Sequence, residues 1–140
     1  MVAAERSISE LLVLVVEDSA IIRERLIRLL SGVPNVRVIG EAKGATEAVQ
    51  KIAELEPDVV TVDLRLQQGS GLDVLRSLRW ITPRPRVAVL TNYGDEHSKR
   101  ECMSLGADYF FDKSHDLGHL RDTLSDLARA GKPTGPEAAN

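Results

Sequence analysis

Residues 11–34, LLVLVVEDSAIIRERLIRLLSGVP, decide the fold. Leu11–Val16 is a short apolar run rich in β-branched valine and closed by Glu17 and Asp18. A strand buried on both faces of a parallel sheet reads this way. Ser19 is placed to cap a helix running to about Ser31, with Ile22, Leu26, Leu29 and Leu30 on one stripe. Gly32 and Pro34 end it. The segment is one strand followed by one amphipathic helix.

The same unit recurs along the chain without any sequence repeat. Residues 36–39 read as a second strand, and Ala45, Ala48, Val49, Ile52 and Leu55 recur at helical spacing until Pro57. Residues 59–62 read as a third strand, 65–71 as a polar, glycine-containing loop, and Leu72, Leu75 and Leu78 as the inner face of a third helix. Beyond Pro83 and Pro85, residues 87–90 read as a fourth strand, and 95–105 as a helix with a thin stripe of Cys102 and Leu105. Residues 109–111 read as a fifth strand. A last helix is expected from near Ser114, with Leu117, Leu120, Leu124 and Leu127 on one face. Five alternating strand–helix units imply a doubly wound α/β fold, a parallel sheet with helices on both faces. One domain is expected over residues 11–130, between an N-terminal extension (1–10) and a flexible tail (131–140) of low apolar content.

Composition removes several function classes. The chain has 140 residues, 43% hydrophobic, which suits one self-supporting core. A net charge of -3 with scattered basic residues gives no footprint for nucleic acid. One cysteine, Cys102, excludes an internal disulfide or a multi-cysteine zinc site and is read as a buried apolar residue. No apolar run approaches the roughly 20 residues that span a bilayer, and residues 1–10 carry no signal-peptide core. No membrane association and a cytoplasmic location are therefore expected.

In open parallel sheets, ligands bind at the carboxyl ends of the strands. Glu17 and Asp18 follow the first strand, Asp63 the third, Thr91 the fourth and Lys113 the fifth. Three carboxylates on one rim repel, since two unit charges 4 Å apart cost about 4 kcal/mol at an effective dielectric of 20. Protonation or a cation must relieve this, and hard oxygen donors suit Mg²⁺, or Mn²⁺ in its place. Asp63 can then serve as a nucleophile toward a phosphoryl group, with Lys113 and Thr91 offsetting charge on the transferring oxygens. The plainer alternatives are a helix-capping pair at Glu17 and Asp18, a loop hydroxyl at Thr91, a solvated Lys113 and a core Phe110.

These segments resemble the receiver domain of bacterial response regulators: VVEDS (15–19), TVDLRL (61–66), SG (70–71), VLTN (89–92) and GADYFFDKS (106–114). Each piece is weak alone; all five in order, over roughly residues 11–130, are specific. The resemblance implies a flavodoxin-like (βα)5 fold with strand order 2-1-3-4-5, a common order among doubly wound sheets. It implies Asp63 as phosphoacceptor, fed by a histidine kinase or histidine phosphotransfer protein. Glu17, Asp18 and Asp63, with the backbone carbonyl of Arg65, would hold Mg²⁺. Thr91 is the implied switch hydroxyl, Lys113 the lysine that pairs with the phosphoryl group, and Phe110 the switch aromatic, with Tyr109, one residue off that register, the second choice. Phosphorylation would reshape the face of the fourth helix, fifth strand and fifth helix, where an unidentified output protein, or a second copy in a homodimer, would bind. About ten residues follow the last helix, so action through a partner in trans is expected, as a messenger, phosphorelay intermediate or phosphate sink.

The chain departs from the family pattern in three places. Ser114 follows Lys113 where proline, often after a cis bond, is usual; a cis bond to Ser costs about 2.5–4 kcal/mol, and the geometry of this loop stays open. Gln67 replaces the usual proline four residues beyond Asp63, which is expected to loosen that loop. Arg65 and Tyr93 are bulky at positions flanking the attacking water of dephosphorylation, and are expected to shield the acyl phosphate. An aspartyl-phosphate hydrolase would carry a second Asp where Arg65 stands, and a phosphorylation-independent pseudo-receiver would have lost acids that this chain keeps.

Overall fold

The computed structural model describes residues 10–92 and 94–131. Five strands, β1 (Leu11–Val16), β2 (Val36–Ala42), β3 (Val59–Asp63), β4 (Arg86–Thr91) and β5 (Tyr109–Asp112), alternate with five helices. These are α1 (Ala20–Ser31), α2 (Ala45–Leu55), α3 (Gly71–Leu78), α4 (Glu96–Ser104) and α5 (Leu117–Ala130). The strands form one all-parallel sheet in the order β2-β1-β3-β4-β5. The flavodoxin-like (βα)5 architecture read from the sequence is the one observed. The expected extension and tail fall almost wholly on residues 1–9 and 132–140, outside the described residues.

Alternation along each strand divides the core in two. Leu14, Val16, Val60, Val62, Val87 and Val89 face α2, α3 and α4, meeting Ala48, Ile52, Val74, Leu75, Leu78 and Cys102. Val13, Val15, Val59, Ala88, Leu90 and Phe111 face the opposite way, onto Leu26 and Leu30 of α1 and Leu120, Leu124 and Ala128 of α5. Burying a side chain of this size contributes about 1.5–3 kcal/mol, so both layers hold the sheet rigid beneath its carboxyl edge. Cys102 is fully buried as read, and burial pushes its thiol up to about 11.

Two boundaries differ from expectation. β2 runs on past residue 39 to Ala42 because β1 pairs with it to the end, across a bulge where Val13 faces Val38 but Leu14 faces Gly40. α5 begins at Leu117 rather than near Ser114. Asp112 takes the Ser114 N–H on Oδ1 (2.7 Å), and Asp116 takes the Asp112 N–H on Oδ2 (2.9 Å). Side chains that capture backbone donors compete with helix initiation, so residues 113–116 form a turn. The Lys113–Ser114 bond, left open above, is trans; the cis bond among the described residues is Thr82–Pro83.

Candidate functional site at the carboxyl edge of the sheet

The carboxyl ends of β1, β3, β4 and β5 lie side by side, so the residues that follow them meet. Glu17 enters from β1, its N–H donating to Ala42 O at 2.9 Å. Its carbonyl accepts from Arg23 Nη1 (2.9 Å), and Arg23 Nε donates to Glu41 Oε1 (2.7 Å). One guanidinium thus fixes the β1–α1 turn against the end of β2. Asp63 closes β3, and helix α3 starts hard against it: a Cβ on Gly71 would lie 2.9 Å from the Asp63 carbonyl oxygen. Only glycine permits that approach. Ser70 and Asp73 cap α3 reciprocally, which fixes the far end of the loop.

Lys113 is the centre of the cluster. Its Nζ donates to Glu17 Oε1 at 2.6 Å and to Asp63 Oδ2 at 2.9 Å. Its backbone N–H donates to Thr91 O at 2.7 Å, which joins the β4 and β5 ends. The Lys113 and Glu17 side chains are only 7% and 1% exposed, and Asp63 11%, so these are buried charges rather than surface pairs. Burial drives the Glu17 carboxyl above its ordinary value, and the hydrogen bonds from Lys113 and Ser19 N–H recover only part of it. Burial pulls the Lys113 ammonium down, but hydrogen bonds to Glu17 and then Asp63 outweigh it and leave it raised. Lys113 is therefore held charged.

Glu17, Asp18 and Asp63 each offer a carboxylate oxygen, and these oxygens lie within 4.8 Å of one another. Three acids and one ammonium leave two uncompensated negative charges on a partly open rim. Hard, anionic oxygen donors at this spacing fit a small divalent cation that keeps several waters. The acids gathered here are the three proposed from the sequence.

The β3–α3 loop supplies two backbone donors to the cleft. Arg65 N–H donates to Asp63 Oδ1 (3.1 Å), and Gln67 N–H to Asp18 Oδ2 (2.8 Å). On the other side, Gln68 O accepts the Ala45 N–H at the start of α2 (3.0 Å). The loop expected to be loosened by Gln67 is thus pinned at several points, one of them through an N–H that proline lacks.

The remaining residues read from the sequence stand around this cluster. Thr91 is buried at the end of β4. Phe110 faces the α2–α3–α4 side, half-buried, beside Val89 in register; a Cβ on Gly94 would lie 3.2 Å from its ring. It is outside the polar cluster but next to the loop that follows Thr91. Arg65 is exposed on the β3–α3 loop. Tyr93 lies outside the described residues. Arg23 was missed, and Gln67 was read only as loosening its loop, not as a donor to Asp18. Gln67 acts through its backbone, which no residue type advertises, and Glu41, the side-chain partner of Arg23, lies 18 residues away on β2.

Comparison with known proteins agrees with this geometry. Residues 13–125 match the family model of the response regulator receiver domain. The protein-glutamate methylesterase/protein-glutamine glutaminase 1 of Methanospirillum hungatei is 36% identical over 118 residues, covering 82% of this chain and 34% of that protein. The DNA-binding transcriptional activator DevR/DosR of Mycobacterium tuberculosis is 32% identical over 123 residues, covering 88% of this chain and 54% of that protein. The chain spans about a third of the length of the methylesterases it matches. The crystal structure of the response regulator domain of Thermotoga maritima CheB superposes with a TM-score of 0.77 at 30% identity, covering 91% of this chain and 99% of that one. No helix among the described residues is long and apolar enough to cross a membrane. The chain belongs to the response regulator receiver family.

Proposed function

We propose that Asp63 accepts a phosphoryl group from a histidine kinase or histidine phosphotransfer protein and that the phosphorylated domain signals to a partner protein in trans. The observation that carries this reading is Lys113, whose Nζ is shared between Glu17 and Asp63 with Asp18 alongside. In the transfer, an Asp63 carboxylate oxygen forms a bond to phosphorus as the bond from phosphorus to the donor imidazole nitrogen breaks; the electron pair leaves with the imidazole. Lys113 already contacts Asp63 Oδ2, so its ammonium stands where charge on the incoming oxygens needs compensation. Mg²⁺ (or Mn²⁺) held by Glu17, Asp18, Asp63 and the Arg65 carbonyl would add positive charge for those same oxygens. The Thr91 hydroxyl serves as the second donor to them.

The product carries about -1.5 to -2 charges and three acceptor oxygens. Thr91 turning toward them opens space beside Phe110, whose ring then moves inward. α4 is the element best placed to respond, because Cys102 is its one buried residue, and elements with little buried surface shift at low cost. The output surface is accordingly α4, β5 and α5, open to a partner protein or a second copy of the domain. Phosphorylation biases two pre-existing states by interacting differently with each. Arg65 and Tyr93 lengthen the life of the acyl phosphate by screening it from water. A cytoplasmic setting suits this chemistry, since the phosphodonors are there.

The test is incubation with Mg²⁺ and acetyl phosphate followed by intact mass measurement. A single phosphoryl increment is expected in the wild type and none in Asp63→Asn. No increment in wild type, or an increment that survives Asp63→Asn, overturns the assignment.

A further inference from the structure

The three acids of the cleft are held in unequal ways. Glu17 has both oxygens engaged, Oε1 by Lys113 and Oε2 by the Ser19 N–H at 3.1 Å. Asp63 also has both engaged, Oδ2 by Lys113 and Oδ1 by the Arg65 N–H. Asp18 receives nothing from Lys113. Among the described residues its carboxylate is held by one hydrogen bond, from the Gln67 N–H to Oδ2, and one of its oxygens lies within 4.8 Å of oxygens of Glu17 and Asp63.

Asp18 is also less buried than Glu17, so packing does less to choose its rotamer. The donor that orients it comes from 49 residues away, on the β3–α3 loop. That loop is itself anchored. Gln68 O is bound to the first N–H of α2, Arg65 pairs with Ser70 across the loop, and Gly69 takes a positive φ of 83° against Ala45. The Gln67 N–H therefore has a fixed origin from which to aim a carboxylate.

We propose that the Gln67 backbone N–H is the group that positions Asp18 for a divalent cation, and that through this bond the cation and the β3–α3 loop are coupled. This rests on the reading of Glu17, Asp18 and Asp63 as a cation site. Outer partners that fix a ligand's orientation typically change metal affinity 10–100-fold when lost. The lower end applies here, because Glu17 and Asp63 keep their own donors. Coupling is reciprocal, so cation binding must tighten the Gln67–Asp18 bond by the factor that the bond contributes to affinity.

The probe is MgCl2 alone, titrated calorimetrically into the full chain. Gln67→Pro, which removes the N–H, is expected to weaken Mg²⁺ binding about 10-fold, while Gln67→Ala, which keeps it, stays within about twofold of wild type. Equal affinity in Gln67→Pro and wild type, or equal weakening in Gln67→Ala and Gln67→Pro, overturns the proposal. Amide exchange gives a second readout that needs no proline variant. The Gln67 amide should exchange about 10-fold more slowly with saturating Mg²⁺ than without, and should lose its protection in Asp18→Ala. A Gln67 amide indifferent to both changes also overturns it. Phosphorylation of Asp63 by acetyl phosphate is scored separately by mass, so a failed Gln67 coupling remains distinct from a failed phosphoacceptor.

Discussion

Replacing Lys113 with alanine in divalent-free buffer isolates the charge balance of the cleft. The substitution leaves Glu17, Asp18 and Asp63 within 4.8 Å with no ammonium among them. Removing one partner of a buried pair costs about 3–5 kcal/mol. The electrostatic part has a ceiling, because Glu17 can take up a proton instead of remaining charged. From the ordinary value of 4.5, binding that proton at pH 7 costs about 3.4 kcal/mol, and at pH 5 about 0.7 kcal/mol. Burial already holds the Glu17 carboxyl high, and losing Lys113 raises it further. A carboxyl raised by folding contributes stability that is whole below 4.5 and is lost as pH climbs through its folded value. Lys113→Ala should therefore cost about 3 kcal/mol or more at pH 7 and less at pH 5, by at most about 2.7 kcal/mol. Urea unfolding followed by circular dichroism at pH 5, 6 and 7, with EDTA present, measures this. An equal cost at pH 5 and pH 7 would refute the reasoning, since lost packing of the lysine stem does not titrate. Millimolar Mg²⁺ at pH 7 should restore more stability to the variant than it adds to the wild type.

Other consequences follow from single groups. The Thr61 hydroxyl is fully buried in β3 without a hydrogen-bond partner among the described residues, so Thr61→Val should stabilise by about 1 kcal/mol, read as a higher urea midpoint at unchanged slope. Arg65→Ala should shorten the half-life of the phosphorylated protein severalfold, followed by loss of the phosphoryl mass after the donor is removed; an unchanged or longer half-life counts against shielding. With its thiol at about 11, Cys102 should be thiolate in roughly one molecule per thousand at pH 8. It should resist alkylation in the native protein and react at once in urea.

The sheet was legible because its strands are short β-branched runs with nowhere to go but a buried parallel sheet: residues 59–62 and 87–90 carry almost no polar atoms. The site was legible for the same reason, since Asp63, Thr91 and Lys113 stand where such runs stop. α4 was the weakest helix in the sequence, and the structure gives the cause in its single buried residue, Cys102. The start of α5 was misplaced because Asp112 and Asp116 bind backbone groups that helical periodicity ignores. The full length of β2 was not visible in Gly40 and Glu41, whose β-propensity is low; pairing with β1 overrides it. What no reading of residue types reveals is a contact made by the main chain, as at Gln67 N–H or the Glu17 carbonyl.

The bulge in β2 bears on how two copies of this domain meet. β2 is an open margin of the sheet, where unpaired N–H and C=O groups invite another chain to add a strand. Here the pairing skips a residue between Val38 and Gly40, and Arg37 and Glu41 place charges of opposite sign along the margin. A strand docking from outside meets a kinked ladder and charge that it must match. The opposite margin, β5, is only four residues long and ends at Asp112. Growth of the sheet from either side is thus discouraged, which leaves the helical surfaces as the less obstructed faces for a second copy of the domain.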